Sequence, residues 1–278
     1  MNAIHPITTR HFHKTGLTEF ALAVAFCCAL GLSADACTIF VLTDTNRALF
    51  FNNEDWSNPK SRIWFVPSGN GYYGCAYVGF DDGAPQGGVN TEGLAWDVVA
   101  GFREGLTANP SLPPVRGHPC QRILETCITV DEAINFCRTR QVGFGKVRVL
   151  IADRTGASVI MGAKEGKLLV ERANQCRGFG YGAQTLDRML AKSSEATVAN
   201  GTKILRATLQ QGEYATKYSN VFDLRTGDIF LYPFPDHDDQ VKLNLAMELK
   251  KGGHYYDMPQ IREQLTEAPR PLLINMKR

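Results

Sequence analysis

The segment that most constrains this chain runs from Ala34 to Trp56. Two apolar runs, 37–43 and 48–51, flank the turn residues Asp44, Thr45 and Asn46, and predict a β-hairpin. The hairpin starts on Cys37 and returns Asn52-Asn53-Glu54-Asp55-Trp56 to its side. The residues before Cys37 read as an export signal. Arg10 and Lys14 form a positive start, residues 17–32 are mostly apolar, and Ala34 and Ala36 make the small-x-small pattern that signal peptidase cuts after. Cleavage there makes Cys37 the first residue of the mature chain.

A thiol on the first residue lies beside its own α-amine. The two groups titrate near about 8.5 and about 7.7–8.0, so the amine can take the thiol proton close to neutral pH. Nucleophile and base then come from one residue. A carboxylate at Asp55 would accept hydrogen bonds from the amine or the thiol and fix their geometry. Other readings of Cys37 are a lipid-bearing cysteine, a buried strand cysteine and half of a disulfide. Asp55 reads equally as a turn carboxylate before Asn58-Pro59, and Trp56 as core or as a pocket wall.

Removal of residues 1–36 leaves 37–278, which suits one large domain. The formal charge of +2 is close to neutral and no basic run occurs, which argues against nucleic acid as a partner. Residues 17–32 are short for a membrane span, so the expectation is a soluble exported protein, periplasmic or secreted. Of eight cysteines, Cys27 and Cys28 leave with the signal. Cys37, Cys75, Cys120, Cys127, Cys137 and Cys176 remain, enough for three disulfides in an oxidising compartment. Their spacing matches no zinc pattern, and His118, His237 and His254 stand far apart, so no metal and no cofactor is expected.

Further along, 63–67 and 72–80 read as strands. Gly87-Gly88-Val89-Asn90-Thr91-Glu92-Gly93 is a glycine-flanked segment in which Asn90 is either an oxyanion donor or the corner of a hairpin turn, ahead of a strand at 94–99. A Pro- and Gly-rich excursion at 103–118 precedes helices at 120–128 and 129–141, the second opened by a Thr129…Glu132 capping box. Strands follow at 147–152, 157–161 and 168–171, helices at 185–192 and 203–210, a hairpin at 217–224 and 228–232, and helices at 243–251 and 259–265. The glycines at 178–182 lack dinucleotide spacing and carry no phosphate role. Blocks of strands and helices without a linker predict a single layered α+β domain.

Taken together, the small-x-small junction before Cys37-Thr38, the Asn52–Trp56 segment and Gly88-Val89-Asn90-Thr91-Glu92-Gly93-Leu94-Ala95 resemble the N-terminal nucleophile (Ntn) hydrolases of the choloylglycine hydrolase and penicillin V acylase group, with acyltransferase-like relatives. The resemblance implies a four-layer αββα sandwich and hydrolysis of a linear carbon–nitrogen amide in a small N-acyl substrate through a thioester. It implies Cys37 as nucleophile, Asp55 as the residue that orients its amine, and Asn90 at the oxyanion; the late arginine of the family falls at Arg188 or Arg206. Asn52, Trp56 and Trp96 are the candidate substrate contacts. The family usually carries an arginine where this chain has Asn52, and no asparagine stands at 178–182 for its second catalytic one. Rival expectations are acyl transfer to a second amine, a lipid-anchored envelope protein acylated at Cys37, and a Cys–His thiol protease. Homo-oligomer formation is left open.

Overall fold

The computed structural model describes residues 37–107, 109–233 and 239–277. The export signal, its cysteines and His237 lie outside the described residues. Two antiparallel sheets form the centre. The first has six strands in the order β10-β1-β2-β11-β12-β13: β1 (Thr38–Thr43), β2 (Ala48–Asp55), β10 (Arg177–Gly180), β11 (Thr216–Asp223), β12 (Asp228–Tyr232) and β13 (Val241–Asn244). The second has nine in the order β15-β14-β3-β4-β5-β6-β7-β8-β9: β3 (Ser61–Val66), β4 (Cys75–Phe80), β5 (Pro85–Asn90), β6 (Ala95–Ala100), β7 (Val147–Ala152), β8 (Ser158–Lys164), β9 (Lys167–Ala173), β14 (His254–Asp257) and β15 (Arg270–Pro271).

Successive side chains of a strand point to opposite faces, so one alternation sorts these strands into layers. Ile39, Val41, Phe50 and Phe222 of the first sheet meet Ile63, Phe65, Val78 and Val89 of the second in one buried cluster between the sheets. Phe40, Leu42, Leu49 and Phe51, one residue out of phase, face Leu186 of α3 (Ala183–Lys192) and Ile204 and Leu205 of α4 (Val198–Ala207). On the far side, Trp64, Tyr77, Trp96 and Ile151 pack on Ile123 and Leu124 of α1 (Pro119–Thr126) and Ala133 and Phe136 of α2 (Val130–Thr139). The result is helix, sheet, sheet, helix, as expected.

Local chemistry sets the element ends. The Thr129 side chain caps α2 by accepting from the Glu132 N–H at 3.1 Å, while the Glu132 carboxylate accepts from the Ile128 N–H at 2.7 Å. Two sequence expectations are displaced. Residues 85–90 form the central strand β5 despite its paired glycines, because a side chain there would collide with the Asp97 carboxylate from Gly87 and the Ala76 carbonyl from Gly88. The helix expected from residue 243 begins later, as α5 (Leu245–Leu249), because Val241–Asn244 pairs with β12 and Asn244 then caps the helix. A last short helix, α6 (Ile261–Gln264), follows β14. The six described cysteines are free thiols, so none of the disulfides that their number allows is formed.

Candidate active site

The layer alternation also places the polar residues. In β2 the positions of Ala48 and Phe50 face the second sheet, and Asn52 and Glu54 continue that face. Tyr218 and Asn220 do the same in β11, and Asp97 in β6 between Ala95 and Val99. All five are fully or almost fully buried, as is Cys37 at 6% exposure. A polar cluster therefore closes one end of an otherwise apolar interlayer, with the Cys37 thiol against it.

The register Thr38↔Asn53 carries β2 past the start of β1, so Glu54 and Asp55 reach Cys37. The Cys37 N–H donates to Asp55 Oδ2 at 2.9 Å, and Thr216 donates its hydroxyl to Asp55 Oδ1 at 2.6 Å. The Cys37 thiol faces Glu54 Oε1 at 3.6 Å, and Asn52 donates to Glu54 Oε2 at 3.2 Å. On the other side the Cys37 carbonyl accepts the Tyr181 N–H at 2.7 Å, and Thr38 donates its hydroxyl to the Tyr181 carbonyl at 2.9 Å. Gly180 makes that approach available: a Cβ there would stand 2.2 Å from the Cys37 carbonyl oxygen.

Burial dominates the electrostatics. It lifts Asp55 to about 7, against the lowering effects of the Thr216 hydrogen bond, the Cys37 N–H and the Lys217 charge. It lifts Glu54 to about 8, with the Asn52 hydrogen bond opposing and the neighbouring Asp55 charge adding to the rise. Asp97 is held high by burial and by Glu54. The thiol is pushed well up, first by burial and then by the charges of Glu54 and Asp55. Chemically, the arrangement is a buried thiol between two carboxyl groups that are ready to hold or release protons near neutral pH.

The other sequence candidates fall elsewhere. Val89 faces the interlayer, so Asn90 points the opposite way, into the helix layer. Its amide donates to the Leu124 and Cys127 carbonyls at 2.8 Å each, and its Oδ1 accepts the Glu92 and Leu94 N–H groups. That is the hairpin-corner reading, with both amide hydrogens spent. Trp96 lies on the same helix-facing side, stacked 5.4 Å from His118. Trp56 is 46% exposed and lies tilted against Phe80 and Tyr214, which replaces the expectation of a core residue. Arg188 is exposed on α3 in the outer layer, away from the interlayer that holds Cys37. Asn52 alone of the three substrate candidates stands beside the thiol's carboxylate.

No local sequence signal singles out Glu54, Asp97, Thr216, Tyr218 or Asn220. Alternation from Phe50 would have placed Glu54 inward; the others need the sheet pairing. Among the described residues no group of histidine, cysteine and carboxylate side chains is arranged to hold a metal ion. Nor is any described helix long and apolar enough to cross a membrane.

The four-layer sandwich is an Ntn-hydrolase fold, with the buried Cys37 just ahead of β1. The chain is similar to penicillin V acylase from Agrobacterium tumefaciens, at TM-score 0.60 and 14% identity over 79% of this chain and 90% of that one. It is similar also to two variants of the conjugated bile acid hydrolase of Clostridium perfringens. One gives TM-score 0.63 and 14% identity over 86% of this chain and 99% of that one. The other gives 0.59 and 13% over 79% and 95%. No protein-family model matches the chain, and no curated protein matches it in sequence. At these identities the likeness is one of fold.

Proposed function

We propose that this protein is an exported cysteine amidase that hydrolyses a linear amide bond in a small N-acyl substrate, and that removal of residues 1–36 creates its active site. The observation that carries the reading is the 2.9 Å hydrogen bond from the Cys37 nitrogen to Asp55 Oδ2, backed by Thr216. Once the bond before Cys37 is cut, that nitrogen becomes an α-amine already held by a fixed carboxylate. The α-amine takes the Cys37 thiol proton, the thiolate attacks the amide carbon, a C–S bond forms, the C–N bond breaks, and the leaving amine takes that proton from the α-ammonium. Water then attacks the thioester, releases the acid and restores the thiol. Asn52, beside the thiol's carboxylate, and the exposed rings of Trp56 and Tyr214 over the buried Phe80 are the proposed substrate contacts. Both solved relatives are named for amide-cleaving activities, which supports the reaction class. The interlayer burial of the thiol speaks against a lipid attached to Cys37.

The test is the intact mass and N-terminal sequence of the exported protein, followed by a screen of N-acyl amines. A chain that starts at unmodified Cys37 and hydrolyses such amides, with activity abolished in Cys37→Ala, is the expected result. A mature chain that starts elsewhere, or carries a lipid mass on Cys37, overturns the proposal.

A further inference from the structure

A cavity of about 670 Å³ lies at the end of α2, between the Pro- and Gly-rich excursion and the β8–β9 turn. Hydrogen bonds tie its walls in place. The Thr107 N–H donates to the Gly166 carbonyl at 2.8 Å, and the Gln141 N–H to the Pro113 carbonyl at 2.9 Å. The Gln141 side chain donates to the Asn109 carbonyl at 2.8 Å. Gly166 has φ 71°, and a Cβ there would stand 2.5 Å from the Thr107 hydroxyl oxygen, so glycine lets the turn meet the excursion.

The lining has two parts. Leu106, Leu112, Val142 and Leu168 are half-buried and give an aliphatic interior. Arg138 and Arg140 at the end of α2, and Lys167 from β9, add three exposed cations. No carboxylate and no aromatic ring lines the cavity. Among the described residues none of the three cations forms an ion pair. The acids nearby are engaged elsewhere: Glu104 accepts the Glu165 N–H, Asp131 pairs with Arg172, and Glu132 caps α2. Arg140 lies 4.7 Å over the Phe136 ring, which holds the guanidinium without neutralising it. The negative end of a helix accounts for cations at Arg138 and Arg140, but not for Lys167 on a separate strand.

We propose that this cavity is a second binding site, for a single-chain aliphatic anion such as a fatty-acid carboxylate. The acidic head sits among Arg138, Arg140 and Lys167, and the chain lies on Leu106, Leu112, Val142 and Leu168. The volume falls within the range of about 300–1,000 Å³ common to small-molecule sites. An interior of aliphatic side chains offers a flexible chain its contacts and offers a flat ring no stacking partner. The site is separate from the catalytic interlayer: Leu106, Val142 and Leu168 pack on the helix side of the second sheet, whereas Cys37 belongs to the cluster between the sheets.

The experiment is a calorimetric titration of the mature protein with hexanoate, octanoate, decanoate and octylammonium. The carboxylates should bind, with affinity rising about three-fold per added methylene, and octylammonium should not. Arg138→Glu with Lys167→Glu should weaken decanoate binding by about ten-fold or more, with a thermal unfolding midpoint close to the parent's. Lys192→Glu with Lys203→Glu makes the same change of net charge on the opposite helix layer and should leave the affinity unchanged. Absence of carboxylate binding, equal binding of octylammonium, or an equal loss in both double variants overturns the proposal. So does decanoate affinity that survives Arg138→Glu with Lys167→Glu, which would put the ligand elsewhere, the Cys37 site included. Should that double variant unfold, Lys167→Ala is the second variant, and an unchanged affinity in it overturns the proposal. Failure on any of these counts leaves the amidase assignment standing, since that rests on Cys37 and its processing.

Discussion

Cys37 has φ 65°, in the left-handed region that residues with a Cβ seldom occupy. Its carbonyl is caught by the Tyr181 N–H and its nitrogen by Asp55, so neighbours on both sides hold the unfavourable turn. The same contacts make specific outcomes testable at single positions. Thr216→Val removes the hydrogen bond that favours the charged form of Asp55, which lifts that carboxyl further above about 7. The acid limb of the kcat/KM profile should therefore move to higher pH, and stability should fall by about 1 kcal/mol. A pH–rate profile and urea unfolding of the variant check the two parts. Asp55 and Cys37 were legible in sequence because a short hairpin joins them. Glu54, one residue away, was not singled out, since its place depends on which face of β2 is buried.

At the level of elements, the thiol's position depends on β10, a four-residue strand with two glycines against β1. Gly180 has φ 123° and presses on the Cys37 carbonyl, and Gly178 lies within contact of Phe40. Gly180→Ala combines a forbidden dihedral with a backbone collision, so it should cost about 3 kcal/mol or more and lose the β1–β10 pairing. Denaturant unfolding gives the first figure and hydrogen exchange at Phe179 the second. In sequence the glycines at 178–182 match neither a phosphate loop nor the family's second asparagine, and nothing there announces a strand. Strands with clean apolar runs, such as β1, β3 and β7, were recognisable, as was the Thr129 cap of α2. Strands β10 and β14 were not, because they pair with β1 and β3 far away in the chain; β5 and β13 were not, because paired glycines in one and four-residue length in the other leave little local signal.

Over the whole molecule, a sandwich that buries Glu54, Asp55 and Asp97 together must show it in its pH dependence. In the folded state these carboxyl groups hold protons to higher pH than in the unfolded chain, where they titrate near about 4. Between the unfolded and folded values the folded state binds more protons, so stability falls as pH rises from about 4 through the folded values of about 7 for Asp55 and about 8 for Glu54. The urea midpoint should be higher at pH 5 than at pH 8, and Glu54→Gln should flatten the slope. A midpoint that rises over this range would show that the cluster is hydrated and ionised in the fold.

What the sequence determined by itself is local: the hairpin from Cys37 to Asp55, the junction that precedes it, the capped helix α2 and the alternation of apolar residues. These follow from neighbours within a few residues, where turn chemistry and side-chain period act directly. Only the tertiary structure decided which face of each strand meets the other sheet. That choice turned Asn90 and Trp96 toward the helices, left Trp56 and Arg188 at the surface, and gathered Glu54, Asp97, Tyr218 and Asn220 around one thiol. The physical reason is that a polar side chain enters such an interlayer only where the pairing of two sheets supplies its partners, and pairing is a property of residues far apart in the chain.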